Sequence, residues 1–121
     1  MAHTLKSRKR VLVVDSDDLD ASRICRELPA ESYSLTFVNS PDEAEQLIRT
    51  ASFDAALIEV SEPNAHHVGL LRRLRREHPT TKVVMMTDFG DEDLWVYMLG
   101  EGASDVLARP VSRRDIERIF C

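Results

Sequence analysis

Four polar residues close or follow apolar runs of the chain, and their types suit ionic chemistry. Asp15 and Glu59 supply carboxylates, Thr87 supplies a hydroxyl, and Arg109 supplies a permanent positive charge. Carboxylate oxygens are the ligands that Mg²⁺ prefers. A guanidinium, in contrast, can hold a carboxylate directly through two hydrogen bonds. If one pocket holds all four residues, we expect a Glu59–Arg109 ion pair at its centre.

The elements that must position these residues form an alternating pattern. Apolar runs alternate with segments of helical period, which indicates repeated strand–helix units around a parallel sheet. The predicted strands are Arg10–Val14, Ser34–Val38, Asp54–Glu59, Lys82–Thr87 and Asp105–Ala108. We predict an α/β, flavodoxin-like (βα)5 fold, a doubly wound five-stranded parallel sheet of strand order 2-1-3-4-5. In that fold ligands lie beyond the carboxyl ends of the first and third strands, so the four polar residues should line one pocket.

A helix is expected after each strand. The first should begin near Ser16 or Asp17, and its core-facing repeat makes Cys25 a buried packing residue. The second begins at a capping box formed by Ser40 and Glu43. The third helix should end near His78, the fourth should span Leu94–Leu99, and the fifth should begin at Ser112.

Composition narrows the class of protein. With 121 residues, 43% hydrophobic and 31% charged, the chain should form one globular domain over 1–121. No apolar stretch approaches the roughly 18 residues that span a bilayer, and only two cysteines occur, so we expect a cytoplasmic protein without membrane contact. The net charge of −5 disfavours direct binding of nucleic acid.

Several motifs occur together in a recognisable order. Val11–Asp15, Glu59, Met85–Thr87, Gly102–Ser104 and Ala108–Pro110 have the order and spacing of a response-regulator receiver domain. The chain resembles the chemotaxis-type single-domain receivers most closely in length. The resemblance implies signal transduction in a two-component phosphorelay. In such receivers an acidic pair holds Mg²⁺, an aspartate accepts the phosphoryl group, a Thr or Ser binds its oxygens, and a lysine pairs with its charge.

The resemblance assigns roles, and three of the five positions depart from the pattern. Asp15 matches the first acid and Thr87 is retained, whereas Ser16 replaces the second acid, Glu59 the phosphoacceptor and Arg109 the lysine. A neutral hydroxyl is a poor Mg²⁺ ligand, and a longer carboxylate is misplaced for in-line attack. We therefore expect a pseudo-receiver with no catalytic residue and no cofactor. Asp15 and Glu59 would be a vestigial metal pair, with Mg²⁺ binding as the open alternative.

Positions around this pocket depart as well. Val106 stands where receivers carry an aromatic residue that moves inward on activation, which puts ordinary switching in doubt. Asp17 and Asp18 are expected to act as helix caps rather than replacement metal ligands. His66 and His67 are expected to be a solvent-exposed pair, because adjacent residues seldom converge on one metal ion.

A receiver that has lost its chemistry must act through a surface. The family commonly meets partners through the fourth helix, fifth strand and fifth helix. Trp95 is the candidate anchor there, and Glu101, Arg113 and Arg118 could pair reciprocally across a two-fold axis. The alternative is that Trp95 packs in the core and that the charges around it are solvated.

Three functions remain open from the sequence. The first is an atypical receiver that binds another signalling protein, an output domain or a second copy of itself, independently of phosphorylation. The second is a Mg²⁺-dependent phosphoacceptor that uses Glu59 and catalyses its own phosphorylation. The third is the regulatory or dimerisation domain of a transcription factor, which makes 1–121 the N-terminal part of a longer protein. Mg²⁺ dependence separates the first from the second.

Overall fold

A five-stranded parallel sheet forms the centre of the molecule. The computed structural model describes residues 8–16, 20–60, 65–88 and 92–120. The strands are β1 (Lys9–Val14), β2 (Tyr33–Val38), β3 (Ala55–Val60), β4 (Lys82–Thr87) and β5 (Asp105–Ala108). Their order is β2-β1-β3-β4-β5, and every neighbouring pair is parallel. This order confirms the predicted flavodoxin-like fold.

Helices cover both faces of the sheet. They are α1 (Ala21–Glu27), α2 (Pro41–Ile48), α3 (Ala65–Glu77), α4 (Glu92–Gly100) and α5 (Arg113–Phe120). Alternate residues of a strand point to opposite faces, and the buried residues accordingly divide into two clusters. Ile24 of α1 and Ile116 of α5 belong to one cluster. Ala44 of α2, Leu70 of α3 and Met98 of α4 belong to the other. The sheet is therefore doubly wound, and no helix in the described ranges is long and apolar enough to cross a bilayer.

Two helices begin with serine caps, and the cap of α5 is reciprocal. At α2 the Ser40 hydroxyl accepts a hydrogen bond from the Glu43 amide at 3.3 Å, as the capping box predicts. At α5 the Ser112 hydroxyl accepts from the Asp115 amide at 3.1 Å, and the Asp115 carboxylate accepts from the Ser112 amide at 3.0 Å. These caps fix where both helices start, and the α5 cap lies just beyond the end of β5.

The first helix begins later than predicted. It starts at Ala21 rather than near Ser16, and Asp20 occupies its N-cap position without a side-chain cap hydrogen bond. The carboxylate of Asp20 is engaged by a distant part of the chain instead, so the local capping signal misplaced the helix start. Asp17 and Asp18 lie outside the described residues.

Cys25 is exposed, and the prediction that it is buried is wrong. Ile24 and Leu28 are the buried positions of this segment. They are four residues apart and so share one side of the helix. Cys25 is one residue further than Ile24 and is therefore rotated by about 100° from that side.

Candidate functional site

The four polar residues predicted to form a pocket lie at one edge of the sheet. The residues immediately before Asp15 and Glu59 are paired in register across β1 and β3. Thr87 ends β4, and its carbonyl accepts a hydrogen bond from the Arg109 amide at 2.9 Å. Asp15, Glu59, Thr87 and Arg109 are all buried. Parallel strands bring their carboxyl ends to the same edge, which is why residues so distant in sequence meet.

The Arg109 guanidinium lies in the middle of this edge. Its side chain has no solvent exposure, and each of its nitrogens contacts a different carboxylate. The contacts are Nε to Asp20 Oδ2 at 2.7 Å, Nη1 to Glu59 Oε1 at 3.2 Å and Nη2 to Asp15 Oδ1 at 3.3 Å. Asp88, which is half exposed, lies 3.8 Å from Nη1. A permanent cation is thus surrounded by carboxylates that outnumber it, and Coulomb attraction is strong here because water is excluded.

Both carboxylate oxygens of Glu59 are engaged. Oε1 accepts from Arg109, whereas Oε2 accepts from the Ser16 amide at 3.0 Å and the Ser16 hydroxyl at 2.9 Å. The side chain is 3% exposed. The structure contains the expected Glu59–Arg109 contact, but as a single hydrogen bond rather than a two-bond fork, because the guanidinium is shared among several acids.

Asp20 is the residue that sequence reasoning missed. Its Oδ2 makes the shortest of the three Arg109 contacts, and its Oδ1 accepts from the Val111 amide at 2.9 Å. It is 1% exposed. In the sequence Asp20 is one acid of a locally acidic segment that resembles a helix start, and no local feature distinguishes it from a solvated cap. Only the fold brings it to Arg109, which is 89 positions away.

The arrangement suits a divalent cation poorly, because five of the six carboxylate oxygens of Asp15, Asp20 and Glu59 accept hydrogen bonds from described residues. Asp15 Oδ1, Asp20 Oδ2 and Glu59 Oε1, which could serve as ligands, accept hydrogen bonds from the guanidinium, and the Ser16 hydroxyl is used by Glu59. Within the described ranges, no group of three or more His, Cys, Asp and Glu side chains has the geometry of a metal site. The positive charge among these carboxylates is supplied by Arg109.

The two adjacent histidines that follow β3 differ in environment. His66 is exposed, but His67 is buried, so the prediction of an exposed pair is wrong for His67. Both lie in the first turn of α3, where successive side chains diverge by about 100°. Burial lowers the pKa of His67 below 6.5, while the nearby charge of Glu59 opposes that shift. Burial therefore favours the neutral form of His67.

The switch position and the tryptophan both contact the core. Val106 is 2% exposed and belongs to the cluster beneath α2, α3 and α4. Trp95 is half-buried and packs against the same cluster. Trp95 therefore stabilises α4 on the sheet while part of its surface remains accessible.

The charged interface candidates have partners within the chain. Glu101 pairs with Arg72 of α3 at 2.5 Å, Arg113 pairs with Glu117 at 3.0 Å, and Arg118 pairs with Asp105 of β5. Each of these pairs is at least partly exposed.

Apolar residues on α4 are more exposed than Trp95. Val96 is 68% exposed and Leu99 is 46% exposed. They are three residues apart and therefore lie on the same side of the helix. Sequence reasoning overlooked them because α4 is apolar around most of its circumference and offers no clear polar face.

Comparison with known proteins agrees with the fold and the motifs. The family described as "Response regulator receiver domain" matches residues 11–120. The response regulator protein PilR of Pseudomonas aeruginosa is 29% identical over 106 residues, which cover 87% of this chain and 24% of PilR. The transcriptional regulatory protein SrrA of Staphylococcus aureus is 26% identical over 88% of this chain and 44% of SrrA. The crystal structure of a CheY-like response regulator receiver domain protein from Methanospirillum hungatei matches with a TM-score of 0.81 and 28% identity, covering 93% of this chain and 91% of that one.

Proposed function

This chain belongs to the response regulator receiver domain family of two-component signalling, and from that membership we propose that it is an atypical receiver working without ordinary aspartyl phosphorylation. It acts by protein–protein contact in the cytoplasm and is not an enzyme. The observation that carries this proposal is the state of Glu59, whose two carboxylate oxygens are both held by side-chain and backbone donors of the pocket.

Attack on a phosphodonor requires a carboxylate oxygen that can reach the phosphorus in line with the leaving group. Glu59 is 3% exposed, and its oxygens accept from Arg109 and Ser16. Releasing Oε1 would leave the buried Arg109 guanidinium without one of its acceptors, at a cost of about 1–3 kcal/mol. In this proposal the carboxylate of Glu59 therefore takes the place of the phosphoryl group, and the guanidinium of Arg109 takes the place of its metal ion.

The switch position supports the same proposal. In this chain Val106 is small and buried against the core, so it has no ring to move between an inward and an outward position. Together with the contacts that hold Glu59 to Arg109 and Ser16, this favours a receiver held near one conformation.

The surface through which this receiver acts is assigned to α4, with β5 and α5 beside it. Val96 and Leu99 form an exposed apolar strip there, and Trp95 supports the helix from below. Apolar residues that stay exposed on a helix are typical of a contact surface. The partner is another signalling protein, an attached output domain or a second copy of the chain.

The similarity to SrrA favours one setting for this domain. SrrA is a transcriptional regulatory protein, and this chain matches less than half of its length. We propose that the chain can serve as the regulatory or dimerisation domain of such a regulator, with no direct contact to nucleic acid, in keeping with its net charge of −5.

The test is phosphorylation by a small-molecule donor. The protein is mixed with Mg²⁺ and acetyl phosphate, and intact mass is measured under conditions that preserve acyl phosphates. We expect no gain of a phosphoryl group. The matched control is the triple variant Ser16→Asp, Glu59→Asp, Arg109→Lys, which restores the receiver pattern and should react. A stoichiometric gain on the unmodified chain would establish Glu59 as a working phosphoacceptor and overturn the proposal.

A further inference from the structure

We propose that Asp20 is a positioning residue that holds the Arg109 guanidinium among the carboxylates and thereby keeps divalent cations out of the pocket. This inference deepens the proposed function, on which it rests, because it explains how an unphosphorylated pocket stays closed. It concerns a residue that has no role in the receiver pattern recognised from the sequence.

The geometry gives Asp20 more control of Arg109 than any other described acid. Its contact to Nε, at 2.7 Å, is the shortest of the three carboxylate contacts, and both side chains are essentially without solvent exposure. Charge-assisted hydrogen bonds of this length are the strong ones. The second oxygen of Asp20 accepts from the Val111 amide. One carboxylate therefore holds both the Arg109 side chain and the backbone two residues further along.

The helix that follows Asp20 does not account for this arrangement. Asp20 stands at the N-cap position of α1, where its carboxylate could accept from a free helix amide, yet it makes no such bond. A side-chain cap contributes about 1 kcal/mol, and Asp20 makes its hydrogen bonds to Arg109 and Val111 instead. The hydrogen bonds of its side chain are directed to the loop between β5 and α5, whereas only its backbone carbonyl bonds to its own helix, through the Ile24 amide.

The charge balance shows why the position of the guanidinium matters. Asp15, Asp20 and Glu59 bring three buried carboxylates to one guanidinium, so the pocket is negative overall when all are ionised. A negative pocket attracts cations. The guanidinium nitrogens occupy one oxygen of each acid, so a divalent cation can bind those three oxygens together only if the guanidinium moves away.

Removing the charge of Asp20 distinguishes this role from a purely electrostatic one. If Asp20 only adds negative charge, Asp20→Asn should weaken the binding of a divalent cation. If Asp20 holds Arg109 in place, the same substitution should tighten binding, because the guanidinium is released. The two explanations predict changes of opposite sign.

The experiment measures Mn²⁺ binding by electron paramagnetic resonance for the unmodified protein, Asp20→Asn and Asp88→Asn. Asp88→Asn is the matched control, because it removes an equal charge near Arg109 from a half-exposed acid 3.8 Å away. We expect Asp20→Asn to bind Mn²⁺ about tenfold more tightly or better, the scale typical of residues that orient a metal site. Asp88→Asn should leave binding unchanged or weaker. Unchanged or weaker Mn²⁺ binding in Asp20→Asn would show that Asp20 does not hold Arg109 in place and would overturn the proposal.

A second measurement needs no variant at Asp20. The Arg109 Nε–H should give a slowly exchanging cross-peak in a ¹H–¹⁵N spectrum, assigned by its loss in Arg109→Lys. Rapid exchange of this proton in the unmodified protein would show that Asp20 does not hold the Arg109 guanidinium, even if Asp20→Asn failed to fold. Tight Mn²⁺ binding by the unmodified protein would instead contradict the proposed function, so the two failures can be told apart.

Discussion

Arg109→Met tests whether one guanidinium keeps the pocket together. Methionine retains a long unbranched side chain but removes the positive charge and all donors. Asp15, Asp20 and Glu59 would then remain buried without the cation that each contacts. Ser16 would still donate to one oxygen of Glu59, so the loss falls mainly on the three oxygens that now accept from Arg109.

Breaking a buried ion pair by removing one partner costs about 3–5 kcal/mol. The entropy of unfolding is about 2.1 cal/mol/K per residue, or roughly 0.25 kcal/mol/K for a chain of 121 residues. The expected loss therefore lowers Tm by about 12–20 °C. Total stabilities of single domains are about 5–15 kcal/mol, so the variant should be strongly weakened but measurable. Adding Asp20→Asn should restore part of the loss, because one uncompensated carboxylate is removed.

Urea unfolding measures this change by circular dichroism and by the fluorescence of Trp95, the single tryptophan of the chain. The matched control is Arg118→Met, which removes a similar guanidinium from a half-exposed pair with Asp105. That control should cost less than about 1 kcal/mol. If Arg109→Met is no more destabilising than Arg118→Met, the guanidinium does not hold the buried acids and the reasoning is wrong.

Two further predictions concern the α4 surface and the buried histidine. Val96→Glu with Leu99→Glu should weaken self-association or output-domain binding about 30-fold, the loss expected for a central contact worth about 2 kcal/mol. Calorimetry or light scattering measures this binding. The control Phe37→Glu, a change at an exposed site on β2, should have no effect on it. An equal loss of binding in both variants would contradict the assignment of the surface to α4. For His67, whose folded pKa is lowered below 6.5, the unfolded state binds the proton more readily, so stability should fall as pH decreases through 6.5. His67→Gln should flatten this dependence in urea titrations whereas the exposed His66→Gln should not, and parallel curves for both variants would rule out His67 as the source.

The strands could be predicted from the sequence because their signal is local. Continuous apolar runs such as Val11–Val14 are buried on both faces, which is the pattern expected of a central parallel strand. The meeting of Asp15, Glu59, Thr87 and Arg109 followed from the fold class, since parallel strands end at one edge.

The start of α1 and the role of Asp20 could not be predicted in this way. The Asp20 side chain does not cap α1 and instead contacts Arg109, which is 89 positions away. Local propensity treats Asp20 as one more acid near a helix start. The exposure of Cys25 and of Val96 likewise depends on how far each helix is rotated about its axis. The apolar residues of a short helix do not fix that rotation.

The shared guanidinium also limits how this domain can change over evolutionary time. Several buried acids depend on Arg109, so substituting any single member of the group leaves charges or donors uncompensated. Exchanging Arg109 for the lysine of an ordinary receiver would shorten the reach to Asp20, while exchanging Asp20 alone would release the arginine. Under the proposed function, gaining the pocket of an ordinary receiver would therefore pass through destabilised intermediates unless several positions change together. The pocket is therefore preserved in two ways: its hydrogen bonds stabilise it, and single substitutions within it are destabilising.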